Sequence, residues 1–463
     1  MEKKIWDLLI KNGTIVNSTG SFQADLAIAK DKIAAVGQLE EGLAERVIHA
    51  DGRLVMPGMI DSHAHLETGV GESKSKDTYY SGSIAAAYGG TTSFVDFAFN
   101  NEGEKPADSM KRKLKEAKGN SVLDYSFHPC INSMDEESLG DIHHFLKNGF
   151  PSIKMFTVYR DSLMLEKQGI YEVLKLVAKE QGIALIHAEC ADMIERKIAD
   201  AISAGKTLPK DHAACRPVIS ELEAMYGVLA MARDTKAPVI FAHMTTGESR
   251  ALLERTDGAK LFAEVCPHYL VLDEEVYERA DGYNFICSPP IRGAKDREKL
   301  WELVCSGHVQ MINSDHTDYH SRQKKKYADY FPKVPNGLPT LETRGMVFFS
   351  EAVVKRGMKA ERFVELTSAN AAKLMGVYPA KGVLAPGSDA DVIIVNPECS
   401  YTMRAADMHM QTDFCPYEGL EMTGKVEYTI AGGEVLIENG VYAETGHRGK
   451  LIKRGKPRLD LIG

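Results

Sequence analysis

Residue types that could hold a metal ion meet in one short stretch, Met59-Ile60-Asp61-Ser62-His63-Ala64-His65. An apolar run ends there in two histidines at i and i+2. On a strand, side chains two apart share a face, so the two imidazoles converge. Imidazole suits zinc and neighbouring first-row metals. A pair supplies only part of a coordination shell, and the ends of other apolar runs offer the rest. Ile183–Ile186 leads into His187, Val239–Ala242 into His243, and Gln310–Ser314 into Asp315, while Pro151–Phe156 carries Lys154. Taken singly, such a histidine is more often a packed core residue and such an aspartate a helix cap. Independent polar residues would not all fall on the ends of apolar runs, and that joint placement argues for a metal site. His49, His128, His143, His144, His212, His308, His320, His409 and His447 lack the placement and receive no role.

Lys154 is the unusual member. An ammonium has no lone pair and cannot bind a cation. Burial near two metal ions would favour the neutral amine over its reference pKa of about 10.4. A neutral amine can add CO2 to form a carbamate, whose two oxygens could bridge two ions. The alternative is a lysine whose stem lines the strand and whose head reaches water.

These residues need a scaffold that gathers strand ends. From Leu54 onward, apolar strands at 54–63, 91–98, 122–128, 151–156, 183–187, 238–243, 260–265 and 309–314 alternate with amphipathic helices. In one helix Ile170, Val173, Leu174 and Val177 keep a spacing near 3.6 and stop before Gly182, the expected C′ glycine. The fold class is α/β, and eight strands separated by helices predict a (β/α)8 TIM barrel, which does its chemistry at the C-terminal ends of the strands. Both chain ends read as β. Asp7–Ile10, a turn at Lys11-Asn12-Gly13, Thr14–Val16, Ala24–Ala29, Ile33–Val36 and Arg46–His49 suggest a small antiparallel unit. After a helix at Ser368–Met375, Val392–Val395, Val426–Ile430 and Glu434–Ile437 return to that texture. The simplest account is a β-sandwich-like domain built from residues 1–54 and 379–445, flanking a catalytic barrel at 55–378. The tail at 446–463, rich in Lys, Arg and Gly, is too polar to pack on its own chain and is expected against a neighbouring subunit.

Composition removes several function classes. A net charge of −9 disfavours a nucleic-acid-binding body. No run of 18 apolar residues exists to span a membrane. Charge enters the N-terminal Met1–Asp7 too early for a signal peptide. Eight cysteines without a CxxC pair read as reduced thiols, which places the chain in the cytoplasm. Two basic runs, Lys111–Lys115 and Arg322–Tyr327, read as solvated surface.

The set His63-x-His65, Lys154, His187, His243 and Asp315 resembles the binuclear amidohydrolases, and within them the dihydropyrimidinase and hydantoinase family of cyclic amide hydrolases. The resemblance runs through Pro57–Asp61, Gly90–Thr92, Lys154–Phe156 with Tyr159, and His187–Glu189. It continues through Glu264–Pro267 with Tyr269 and Leu270, Ser288–Arg292, Ser314–His316, Pro335–Pro339, Thr367–Asn370 and Ala385–Asp391. It implies two divalent ions, zinc being the usual one. His63 and His65 would hold the first and His187 and His243 the second. A CO2-derived carbamate on Lys154 would bridge them, and Asp315 would join the first. It implies Asp315 as general base and acid, and Tyr159 as donor to the developing oxyanion. Main-chain groups of Ser288 and Asn336 would dock the ring amide. A homotetramer is also implied, with a small cyclic ureide as the only partner.

Two rivals share this pattern. An allantoinase or dihydroorotase would use the same metals, but those relatives generally lack the tyrosine at 159; a purine-derived ureide stays open as an alternative substrate. Collapsin-response mediator proteins share the fold as non-catalytic scaffolds but have lost metal ligands that are all present here. The loops at 66–72 and 157–165 are expected to flank the ring substituent. They contain no phenylalanine but include Glu67 and Arg160. If those charges face the pocket, small or polar ureides should be preferred over aryl hydantoins.

Overall fold

The computed structural model describes residues 4–70 and 72–463; the first three residues of the charged N-terminal run and Gly71 of the first loop lie outside them. Its centre is a ring of eight parallel strands: Met59–Ala64, Thr91–Ala98, Asp124–Pro129, Ser152–Phe156, Ile183–His187, Val239–Phe241, Leu261–Val265 and Met311–Ile312. The third and fourth strands are joined at Cys130 and Lys154. The ring closes where Asp315 N donates to His63 O and His65 N to His316 O, both at 2.9 Å. Ile60, Phe97, Leu185, Ile240, Phe262 and Met311 fill the interior as one apolar cluster. The fully buried Arg344 guanidinium secures the seam: Nη1 donates to Ile60 O and Ile312 O, and Nη2 to Thr91 Oγ1.

The apolar run 54–63 is two strands, not one. Leu54–Pro57 pairs with Thr14–Ile15 and Val392–Val395 in a separate sheet, and the first barrel strand starts after Gly58. Only glycine fits at the divide, since a Cβ on Gly58 would lie 2.1 Å from Thr92 Oγ1. That separate sheet has nine strands drawn from both ends of the chain. Leu8, Ile28, Ile33, Val55, Val392, Ile430 and Val435 share one cluster, so the sheet encloses its own core beside the barrel.

Several local expectations change. Lys11-Asn12-Gly13 is a bulge inside one long strand, Trp6–Asn17, with Asn12 at φ 58°. A left-handed residue serves a bulge as well as a turn, so the sequence signal is ambiguous. The bulge lets the strand pair in parallel with Ala44–His49 before it and with Leu54–Val55 after it, so the unit is mixed rather than antiparallel. The helix Lys167–Glu180 ends on Gln181 in the left-handed conformation, not on Gly182. Gly182 is needed for close packing, because a Cβ there would sit 2.5 Å from Pro151 O.

The tail packs on its own chain. Gly449 N donates to Ser121 O and Gly455 N to Gly376 O. Arg454 is buried and donates to Ser126 Oγ, Phe127 O and Ser152 Oγ at the foot of the barrel. The polar tail therefore finds main-chain and hydroxyl partners at home, which removes the reason for placing it on a neighbour. Nor are the two basic runs wholly solvated. Lys113 is buried and donates to Leu66 O, and Lys324 is buried as well.

Candidate active site

All the residues singled out on strand ends converge at one mouth of the barrel. Asp315 Oδ1 lies 3.0 Å from His65 Nε2 and 3.2 Å from His63 Nε2. The ring centroids of His63 and His243 are 5.3 Å apart, and those of His243 and His187 are 4.4 Å apart. Lys154 Nζ sits 5.0 Å from the Phe97 ring and 4.8 Å from the Phe156 ring. The Phe156 ring in turn contacts His187. Tyr159 reaches the same place, its ring 5.5 Å from that of His187. Ser288 Oγ donates to Asn336 Oδ1 at 2.8 Å.

Orientation comes from carboxylates outside the cluster. Glu264 Oε1 accepts from His63 Nδ1 at 2.6 Å, and Glu189 Oε2 from His187 Nε2 at 2.7 Å. At His187 the carboxylate only accepts, so Nε2 carries the proton and Nδ1 keeps its lone pair for a metal. His63 lies between two carboxylates, Glu264 at Nδ1 and Asp315 at Nε2, so an ion held at Nε2 would take the place of a proton there. Glu264 is itself fixed by Asn313 Nδ2 at 2.7 Å and His243 N at 3.1 Å. The buried Arg216 guanidinium pairs with Glu189 and lies 5.4 Å over the Tyr159 ring. Reading the sequence gave none of these three a role. Glu189 had a local signal, being two residues beyond His187. Arg216 comes from a connecting segment with no periodic signature.

The donor set fits a cation site. Lys154 Nζ, His65 Nδ1 and His243 Nδ1 are buried without a hydrogen-bond partner among the described residues. A buried ammonium with no acceptor is costly, and burial lowers the Lys154 pKa below its ordinary value. Burial likewise holds His187 low and His243 well below the usual imidazole range, so both remain neutral donors. At Asp315, burial pushes the carboxyl up. His63 and His65 outweigh it and hold the group well below the usual carboxylate range. Tyr159 at φ 69°, His243 at 36° and Asp315 at 47° occupy the left-handed region, which costs a non-glycine residue about 1–3 kcal/mol. Such strain gathers where a side chain must be aimed.

Two other groups of potential ligands do not behave this way. In Asp77–His316–Asp318, His316 Nδ1 accepts from Thr340 N and Leu341 N. Its Nε2 is therefore protonated and points a donor, not a lone pair, at the two carboxylates. In Asp124–Asp389–Asp391 the Lys381 ammonium already pairs with all three acids.

Residues 54–436 match the amidohydrolase family. This chain belongs to the amidohydrolase family. A D-hydantoinase of Geobacillus stearothermophilus is 35% identical over 97% of this chain and 96% of its own length. A D-phenylhydantoinase of Escherichia coli is 34% identical over 96% and 98%. Among solved structures, a dihydropyrimidinase from Brevibacillus agri NCHU1002 superposes with a TM-score of 0.94 at 32% identity, covering 97% of this chain and 98% of its own. The chain is thus a metal-dependent enzyme whose family implies a binuclear metal centre, and His63, His65 and Asp315 form one candidate ligand group.

The amidohydrolase barrel also decides where the two charged loop residues go. Glu67 Oε1 accepts from Tyr79 N at 3.1 Å and caps the following helix. Arg160 is exposed among Glu166, Asp192 and Glu195. Both charges that favoured a polar substituent are engaged elsewhere. The aromatic surface at the mouth comes from outside those loops. Phe99, half-buried one residue beyond the second strand, has its ring 5.2 Å from His65 and 5.9 Å from Phe156.

Proposed function

We propose that this enzyme opens the cyclic amide bond of hydantoins or dihydropyrimidines to give N-carbamoyl amino acids. The observation that carries the reading is the convergence at one mouth of His63, His65, Lys154, His187, His243 and Asp315 with Tyr159 and the Ser288–Asn336 pair. His63, His65 and Asp315 would hold one ion and His187 and His243 the other, with the Lys154 side chain between them as its carbamate. Zinc is the ion that the family resemblance implies, and imidazole and carboxylate donors accept it. When bound, the metal pair supplies Lewis acidity and a water whose pKa falls from about 15.7 to about 7.

The chain's own groups do the rest. Main-chain groups of Ser288 and Asn336 dock the ring amide and present its carbonyl to the mouth. Asp315 accepts the proton of the attacking water as the new C–O bond forms. Burial raises the Tyr159 phenol, so it stays protonated and donates to the carbonyl oxygen as charge builds there. Asp315 then delivers its proton to the ring nitrogen as the C–N bond breaks. The ring substituent lies against Phe99, which makes an aryl group acceptable. A homotetramer, on family resemblance, and the cytoplasm, on the eight free cysteines, complete the reading.

Incubating the purified, zinc-loaded protein with hydantoin, 5-phenylhydantoin, dihydrouracil, dihydroorotate and allantoin, and following N-carbamoyl products by chromatography, tests it. Turnover of hydantoins or dihydrouracil is expected. Turnover confined to dihydroorotate or allantoin would overturn the substrate assignment.

A further inference from the structure

Lys324 is the one residue of the basic run Arg322–Lys326 whose side chain turns wholly inward. Its ammonium donates to Asn284 O at 2.9 Å, Ile286 O at 3.0 Å and Gly337 O at 2.6 Å. Three N–H donors meet three carbonyls, so the group is saturated. Those carbonyls belong to the two segments that end at the pocket. Ile286 stands two residues before Ser288, and Gly337 directly follows Asn336. The same segments touch through Gly337 N to Ile286 O at 3.0 Å and Ser288 Oγ to Asn336 Oδ1 at 2.8 Å. Behind them, a Cβ on Gly337 would lie 2.4 Å from Thr317 Cβ, and Thr317 N donates to Leu338 O at 3.1 Å. The Asn336 segment is thereby seated on the stretch that carries Asp315. No salt bridge to Lys324 exists among the described residues, so the ammonium is spent wholly on main-chain carbonyls.

We propose that Lys324 is a positioning residue, a three-carbonyl clamp that sets the spacing between the Ser288 and Asn336 main-chain groups on which the ring amide docks. The inference rests on the docking role given above to those two residues. Among the described residues Lys324 makes no hydrogen bond or ion pair to the proposed metal donors. Loosening it should spread the docking groups and leave the metal centre alone.

The test compares zinc-loaded wild type with Lys324→Met, which keeps an unbranched stem and removes the donors, and with Lys324→Arg, which keeps donors. Lys324→Leu, which also lacks donors, replaces the methionine variant if the latter does not fold. Each is assayed for kcat and KM on the better of hydantoin and dihydrouracil, on the same compound methylated at the ring amide nitrogen, and for metal per chain. For Lys324→Met the expected result is full metal content, a KM at least 10-fold higher, kcat within 3-fold, and weaker discrimination against the methylated compound. Lys324→Arg should recover part of the KM. Wild-type discrimination with unchanged KM and discrimination in the variant would overturn the clamp. So would a joint loss of metal, kcat and KM, which marks a general structural role. A wild type that turns over the methylated compound as well as its parent would overturn the docking role itself, and the clamp with it.

Discussion

Replacing Tyr159 by phenylalanine removes one hydroxyl and keeps the ring. Its edge contact with His187, at 5.5 Å, survives, as does the Arg216 guanidinium 5.4 Å over its face. The backbone at φ 69° is no harder for phenylalanine than for tyrosine, so the loop should hold its shape. No metal donor is lost. What disappears is a phenol that burial keeps protonated and that, on the proposed mechanism, donates to the oxygen where charge develops. Loss of one preorganised oxyanion donor costs about 10²–10³ in kcat, or roughly 2.7–4 kcal/mol of transition-state stabilisation. The assay is steady-state kinetics on the best ring substrate, with metal per chain measured on the same preparation. The expected outcome is unchanged metal and KM near wild type, with the whole loss in kcat. An effect confined to KM would show that the phenol binds the ground state only, and unaltered kcat would remove it from the mechanism.

Four further outcomes follow from the same geometry. Lys154→Ala should fold, lose metal and lose turnover, because it removes the proposed carbamate that would sit between the ions; full metal content with normal rates would end the carbamate assignment. Glu264→Gln keeps the shape but weakens the acceptor on His63 Nδ1 and should lower metal affinity about 10–100-fold, read by chelator competition; unchanged affinity would deny Glu264 its orienting role. Phe99→Ala should reduce kcat/KM for 5-phenylhydantoin by about 1.5–3 kcal/mol relative to unsubstituted hydantoin, and equal losses on both would move the apolar wall elsewhere. At Glu189, burial raises the carboxyl but Arg216 and His187 outweigh it and hold it at about 2, against an ordinary 4.5. A depressed carboxyl contributes stability above pH 4.5 that is lost as pH falls toward 2, so Glu189→Gln should flatten that acid limb in denaturant titrations; an identical limb would refute the pairing.

Much of the barrel was legible because a buried parallel strand is a short apolar run, and eight such runs separated by helical periods admit few architectures. The ends of those runs were legible for the same reason: a polar residue closing an apolar strand stands at the barrel mouth. His63, His65, Lys154, His187, His243 and Asp315 could therefore be gathered before any distance was known. Less visible were the residues that aim them. Glu264 lies inside the seventh strand and Arg216 on a connecting segment, and neither position has a periodic signature linking it to a histidine far away in sequence.

Charge was where local reading failed most consistently. Lys113 and Lys324 sit in runs that look solvated and Arg454 in a tail expected on a neighbouring subunit, yet each is buried within its own chain. Each donates to carbonyl oxygens of distant segments. Glu67 and Arg160 did the reverse, standing in loops at the pocket but bonding away from it. The sequence alone determined the element types, the barrel and the residues that could ligate a metal, because periods of 2 and 3.6 are local properties of the chain. Only the tertiary structure decided which way a charged side chain turns. That choice depends on which main-chain carbonyls and carboxylates the fold brings within about 3 Å, and those partners come from parts of the chain with no sequence relation to it.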